Sequence, residues 1–259
     1  MAKGLWNWLK RAEQPAPPAP VARRLPDDLR VYAIGDVHGR HDLLEGLLDA
    51  IERDHAARPP AARQLIFLGD LINRGAGSRA VIERLMALDP AETVFLTGNH
   101  EEVLCQLWRG NDDLASLFHR CEAKSTMVSY GVAPDEYDGW DYGQLAQAVR
   151  AYIPESHIAF LESFADRHML GDYLFVHAGI RPGVPIGGQT SQDMRWIRSE
   201  FTGSDHDHGC IVVHGHTIVR EPELRPNRIA VDTGAYRSGK LTAVGIEGSD
   251  NWFLTSAAG

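Results

Sequence analysis

The sequence is poor in cysteine, in long apolar runs and in clustered positive charge. Only Cys105, Cys121 and Cys210 occur in 259 residues. They are odd in number and lack CxxC spacing. That argues against a disulfide framework and fits reduced thiols in a cytoplasmic protein. No apolar stretch approaches the ~20 residues that a bilayer-spanning helix needs. The opening MAKGLWNWLKRAEQ lacks a long apolar centre and a small-residue cleavage site, so no secretory signal is expected. Lys and Arg number 26 against 35 Asp and Glu, a formal charge of −9, with no dense basic run. A basic face for duplex nucleic acid is therefore not expected. Clustered carboxylates fit bound cations instead. No internal repeat is visible.

What is present suits a sizeable core. A hydrophobic content of 44% over this length fits one large α/β domain or two small ones. PAPPAPVARRLPDD (15–28) reads as a Pro/Ala linker. Residues 1–29 are thus expected to be a flexible segment, and 30–259 the folded domain. Leu5, Trp6, Trp8 and Leu9 could touch a membrane surface or a partner, but a frayed or locally packed end is expected. Short apolar runs follow, each bounded by polar residues and glycine: VYAIGD (31–36), LIFLGD (65–70), TVFLTGN (93–99), YLFVHAG (173–179), IVVHGH (211–216), IAVDTG (229–234) and LTAVGI (241–246). Such runs read as buried strands. Helical patterns separate the first three, which implies parallel pairing with right-handed crossovers. The last three have short connections and are expected to pair with their neighbours. The fold expected is α/β, with two packed mixed sheets flanked by helices. Residues 110–170 are mostly helical in pattern and read as an insertion. Within it, Tyr137, Trp140 and Tyr142 lie in an acidic stretch, read here as an ordinary surface insertion rather than a base-stacking platform.

Polar residues fall directly after the strands, at the sheet edge where α/β sites form. Asp36 and His38 (GDVHG) are two apart and point to one side of an extended chain. GDLINRG supplies Asp70 and Arg74, GNHEE supplies Asn99 and His100, HAG supplies His177, and HGHT supplies His214 and His216. Singly, each piece is a common turn or helix cap. Jointly they give carboxylates, histidines and an amide at strand ends, a donor set that suits Mn²⁺, Fe²⁺ or Zn²⁺. Asp70 has two oxygens and could bridge two ions ~3.5–4 Å apart, a pair able to polarise a phosphoryl oxygen and generate hydroxide. Arg74 and Arg198 offer planar forks for phosphate oxygens. A histidine outside the ligand set could protonate the leaving oxygen.

GDVHG, GDLINRG, GNHE, HAG and HGHT, in that order, resemble the phosphoprotein phosphatase family of calcineurin-like metallophosphoesterases. The likeness is to the bacterial and phage branch, which mixes protein phosphatases with diadenosine tetraphosphatases. The resemblance implies that Asp36, His38 and Asp70 hold one metal, and that Asp70, Asn99, His177 and His216 hold the other. It implies two divalent ions, Mn²⁺ first and Fe or Zn as alternatives. His100 would be the general acid beside attack by a metal-bound hydroxide. Arg74, Arg198, Asn99 and His100 would bind the substrate phosphate, with Arg195 the weaker candidate beside Arg198. His214 reads as a packing residue, SDHDHG (204–209) as a solvated loop, and His119, His157 and His168 as histidines of helical segments.

One residue departs from the family. Where GDxVDRG carries a second Asp that supports the catalytic histidine, this sequence has Asn73. Asn adds no charge to raise the histidine pKa, and a neutral residue here resembles the tetraphosphatases and RNA-decapping relatives. Glu101 points the other way, towards protein phosphatases. The leading expectation is a serine/threonine-type protein phosphatase. The alternative is a symmetrical dinucleoside tetraphosphate or RNA 5′-cap hydrolase, and the third reading is an inactive scaffold of the same fold. The expected partner is thus a phosphoprotein or a nucleotide polyphosphate, in any oligomeric state.

Overall fold

The computed structural model describes residues 23–257, so Leu5, Trp6, Trp8 and Leu9 lie outside the described residues. Two five-stranded mixed sheets stack face to face. The first has the order β10-β9-β1-β2-β3, built from β1 (Leu29–Ile34), β2 (Ala62–Phe67), β3 (Thr93–Phe95), β9 (Lys240–Glu247) and β10 (Asp250–Ala257). Strands β1, β2 and β3 run parallel. The crossovers are α1 (His41–Ala56) and α2 (Ser78–Met86), whose leucines and isoleucines recur at helical spacing and are buried. The second sheet has the order β4-β5-β6-β8-β7, from β4 (Arg167–Leu170), β5 (Tyr173–Val176), β6 (Ile211–His214), β7 (Glu223–Leu224) and β8 (Arg228–Ala230).

Alternation along β1 sorts its side chains into two layers. Val31 and Ala33 face the second sheet, meeting Phe175, Val213 and Ile229. Tyr32 and Ile34 face the helices. Leu25, inside the stretch expected to be linker, is buried with the inter-sheet layer, and its amide donates to Gly248 O. A third apolar layer covers the far face of the second sheet, where Leu174 and Val212 meet α9 (Ser191–Trp196) and α10 (Ser199–Thr202). No described helix is long and apolar enough to cross a membrane.

After α3 (Asn99–Trp108) comes the expected helical insertion: α4 (Ala115–Arg120), α5 (Lys124–Ser129), α6 (Pro134–Asp138), α7 (Tyr142–Tyr152) and α8 (Glu155–Glu162). Phe118, Leu145, Val149 and Ile158 extend the helix-side core into it. A last short helix, α11 (Ala235–Ser238), precedes β9.

Two expectations need correction, and one long strand was missed. The runs at 211–216, 229–234 and 241–246 do not pair in succession. β6 and β8 pair, in parallel, but β9 crosses to the first sheet and joins β1 and β10. The inter-sheet layer explains this, because Val244 and Ile246 pack there from the opposite side. His168 lies on β4, not in a helix. The strand β10 (DNWFLTSA) was not anticipated.

Candidate dinuclear metal site

The loops that leave β1, β2 and β3 meet those that leave β5 and β6. Five candidate residues there have left-handed backbone: His38 (φ 44°), Asp70 (50°), Asn73 (69°), Arg74 (69°) and His216 (60°). Non-glycine residues rarely adopt this region, and such strain clusters at functional sites. The glycines of the motifs permit close approach. A Cβ on Gly98 would collide with the amide and carboxylate of Asp70, and one on Gly215 with Asp36.

Hydrogen bonds fix the direction of each ring. His38 donates from Nδ1 to Ile72 O at 2.8 Å, and His177 from Nδ1 to Leu68 O at 2.8 Å. Both therefore aim an Nε2 lone pair inward. His177 Nε2 meets Asn99 Oδ1 at 3.1 Å, His216 Nδ1 at 3.2 Å and Asp70 Oδ1 at 3.4 Å. His38 Nε2 faces Asp70 Oδ2 at 3.5 Å and Asp36 Oδ2 at 3.9 Å. Acceptors thus converge on acceptors, and His216 Nε2 is buried with no partner. Buried acceptors arranged this way call for a cation. Asp70 belongs to two groups of potential ligands, His38–Asp70–His100 and Asp70–His177–His216, each with donor atoms within 4.8 Å of one another. The residues present fit two ions with Asp70 between them. Burial holds His38 down to about 3 and His216 to about 2, so both rings stay neutral, the form that binds metal.

Asp36 accepts the His216 amide at 3.1 Å on both oxygens. Burial first, then the charge of Asp232, pushes its carboxyl up. Asn99 and His100 begin α3, where the amide of His100 donates to Asp70 Oδ1 at 3.1 Å. His100 is 2% exposed, with Nε2 3.7 Å from Asp70 Oδ2. Behind it, Asn73 Nδ2 lies 2.9 Å from His100 Nδ1. Arg74 Nη1 donates to His38 Nε2 at 2.9 Å. Arg198 is exposed and its guanidinium makes no hydrogen bond or ion pair among the described residues, and its charge bears on His100, His177 and His216. Arg195 is engaged elsewhere, by Glu102 at 3.2 Å and Asp166. The candidate metal ligands, His100, Asn73, Arg74 and Arg198 thus meet at one edge.

Other histidines stand apart. His214 packs edge-on to Phe201 with ring centres 5.0 Å apart, and burial lowers it to about 4. Among the described residues, the potential ligand groups include no member of SDHDHG (204–209), whose Asp207 pairs with Arg23 at 3.0 Å. In the insertion, Trp140 is partly buried and Tyr142 exposed. With Tyr137, His119 and Leu145 they line a cavity of about 320 Å³. Tyr137 is buried and stacks on His119 with ring centres 5.9 Å apart.

The roles of three residues escaped the sequence reading. Glu101 is fully buried and accepts the amides of Asp70 (2.8 Å), Leu71 (2.8 Å) and Gly98 (3.1 Å). It braces the GDLINRG loop against α3. Burial and the charge of Asp70 push its carboxyl up to about 8, against those amides. Asp232 sits behind Asp36 and accepts the Gly234 amide at 2.8 Å. It follows shortly after β8, as Asp36 follows β1 and Asp70 follows β2, and that position was the available signal. Tyr236 lies under Arg74, whose guanidinium carbon is 4.5 Å from the ring centre, and meets His38 edge-on at 5.6 Å.

Comparisons with known proteins identify the family of the chain. A bis(5′-nucleosyl)-tetraphosphatase PrpE [asymmetrical] from Anoxybacillus flavithermus (strain DSM 21510 / WK1) is 27% identical over 232 residues, 82% of this chain and 88% of that protein. The protein of the same name from Bacillus anthracis (strain A0248) is 28% identical over 233 residues, with the same coverage. Among solved structures, one provisionally named a diadenosine tetraphosphatase aligns with TM-score 0.62 at 21% identity, over 89% of this chain and 95% of that one. A cold-active protein tyrosine phosphatase aligns with TM-score 0.53 at 17% identity, over 89% and 81%. Structural likenesses this distant speak for the fold alone. The family described as calcineurin-like phosphoesterase matches residues 29–238, and the chain belongs to that family of metal-dependent phosphoester hydrolases.

Proposed function

We propose that this chain hydrolyses nucleoside polyphosphates, dinucleoside tetraphosphates first among them, rather than phosphoserine or phosphothreonine in proteins. One observation carries the choice. The residue behind His100 is an amide, with Asn73 Nδ2 2.9 Å from His100 Nδ1, where a carboxylate would hold the ring protonated. A serine alkoxide leaves poorly without a proton. A phosphate leaves as an anion, its last ionisation near pH 6, and needs less help. The names of the similar curated proteins support the same substrate class.

In this reading residues 30–259 act as one catalytic domain. Asp36, His38 and Asp70 hold one ion, and Asp70, Asn99, His177 and His216 the other. Mn²⁺ is the first candidate, and the ions when bound polarise the phosphoryl group and supply the nucleophile. Arg198, its guanidinium not otherwise engaged, grips the phosphate with Arg74. His100 Nε2 faces the leaving oxygen.

A side-by-side assay with Mn²⁺ tests the proposal, comparing diadenosine tetraphosphate, capped RNA, and phosphoserine, phosphothreonine and phosphotyrosine peptides. Tetraphosphate should give the highest kcat/KM, by about tenfold or more. Asn73→Asp should narrow that gap by improving turnover of the phosphoserine peptide. Equal or faster hydrolysis of the peptide by the native protein would overturn the substrate class and restore the protein-phosphatase reading.

A further inference from the structure

One contact between the helical insertion and the site is a buried hydroxyl. Thr126, on α5, is fully buried, and its Oγ1 lies 2.7 Å from Asn73 Oδ1, to which it donates. The same oxygen accepts the Asn73 amide at 2.9 Å and lies 2.9 Å from Ser78 Oγ. Ser78 and Asn73 are also fully buried. An amide side chain has two faces, and which one meets His100 decides where the imidazole proton resides.

The donor count selects one arrangement. If the Asn73 oxygen faced His100, its nitrogen would donate to Thr126, and Thr126 would have to donate to Ser78. The Ser78 hydroxyl hydrogen would then have no acceptor among the described residues. In the arrangement that remains, Ser78 donates to Thr126, Thr126 donates to the Asn73 oxygen, and the Asn73 nitrogen donates to His100 Nδ1. Every hydroxyl hydrogen is placed, as buried polar groups require. His100 Nδ1 must then be bare, and the single proton of the neutral ring sits on Nε2, facing the site.

We propose that Thr126 is a positioning residue. Its hydroxyl fixes a one-way chain, Ser78 to Thr126 to Asn73 to His100, that holds His100 as the Nε2–H tautomer. His100 then meets the leaving oxygen as a neutral hydrogen-bond donor and keeps its proton. As the oxygen of the attacking hydroxide bonds to phosphorus, the bridging P–O bond breaks, its electron pair leaves with the departing phosphate, and no proton crosses from the ring. A carboxylate at position 73 would reverse the chain, accepting from Nδ1–H. This inference rests on the reading that His100 faces the leaving oxygen, but its main observable does not depend on the substrate.

Long-range ¹H–¹⁵N spectra of the ¹⁵N-labelled protein report the tautomer directly, with His100 assigned by its loss in His100→Gln. The spectra are recorded on the metal-free and the Zn²⁺-loaded protein at pH 8. The native His100 should show a bare Nδ1 and a protonated Nε2 in both. A native ring protonated at Nδ1 overturns the proposal without recourse to any variant. Asn73→Asp should move the proton to Nδ1. Thr126→Val, which keeps the shape and loses the hydroxyl, should give a mixture of tautomers and lower kcat on diadenosine tetraphosphate by about tenfold with KM unchanged, and Thr126→Ser should restore both. A Thr126→Val protein with the native spectrum would show that Thr126 does not set the tautomer. Fast phosphoserine hydrolysis with the Nε2–H tautomer in place would overturn the substrate class alone.

Discussion

The strand-end loops and the helical insertion are built by different rules. The loops hold five left-handed non-glycine residues within one small site, and their side chains are fixed by bonds to backbone, such as His38 to Ile72 O and His177 to Leu68 O. The insertion is made of short helices with ordinary capping, as at Asp141, and an apolar core of Phe118, Leu145, Val149 and Ile158. It meets the loops chiefly at the Thr126 hydroxyl and at Glu122 O, which accepts the Arg74 amide at 3.3 Å. The loops therefore store most of the strain, the insertion adding only Glu122 (φ 59°), and gather the acceptors that need cations, and the insertion adjusts what those acceptors do. Metal binding should fail when the loops change and survive when the insertion does.

The sharpest way to break that division is Asp70→Asn. Asp70 faces His38, His100 and His177 within 3.7 Å. Losing its charge should cost metal affinity more than the roughly 100-fold that outer residues carry. Elemental analysis after gel filtration should find less than one ion per chain, and thermal unfolding should no longer respond to added Mn²⁺. Two retained ions would show that Asp70 does not bridge.

Glu101→Gln is the next test, because Glu101 ties α3 to the loop without facing solvent. A Gln cannot accept all three amides, and each buried amide left unpaired costs about 1–3 kcal/mol. An apparent melting temperature lower by about 4–10 °C is expected for a chain of this size. Metal content at saturating Mn²⁺ should stay near that of the native protein. Unchanged stability would mean that the brace is not structural, and Glu101 would return as a marker of substrate.

These tests rest on residues of unequal legibility. Asp36, Asp70, Asn99, His177 and His216 stood out as candidates because each lies at the end of a short apolar run close to a glycine, and strand ends in such folds gather at one edge. The two-sheet architecture was readable for the same reason. The crossing of β9 was not, since short connections favour neighbours and only the three-dimensional core tells which sheet needs Val244 and Ile246. Glu101 was read as a family marker, because its three partners are amides that exist as a cluster only once the loop is folded. Thr126 gave no signal at all: it lies 53 positions from Asn73 in an ordinary helix. The direction of a hydrogen bond is likewise absent from a sequence, so residue 73 was legible as neutral but not as a donor.

The smallest effect tests the insertion itself. Trp140 lies on the cavity of about 320 Å³ with His119, Tyr137 and Tyr142. Tyr142 is 53% exposed, so an aromatic face is open to solvent there. His119 lies in the last turn of the helix that leads through Cys121 to Glu122, whose carbonyl holds the Arg74 amide, so the cavity neighbours the loop that carries Arg74 along the chain. A nucleobase stacked on these rings would contribute about 1–3 kcal/mol, on the scale of single base–aromatic contacts. Trp140→Ala should then raise KM for diadenosine tetraphosphate by about fivefold to tenfold. Hydrolysis of p-nitrophenyl phosphate, which has no base to place, should hold within about twofold, and so should metal content. Equal losses on both substrates would assign Trp140 to packing with Tyr137, whose ring centre is 5.6 Å away, and the insertion would then act on the site through Thr126 and Glu122 alone.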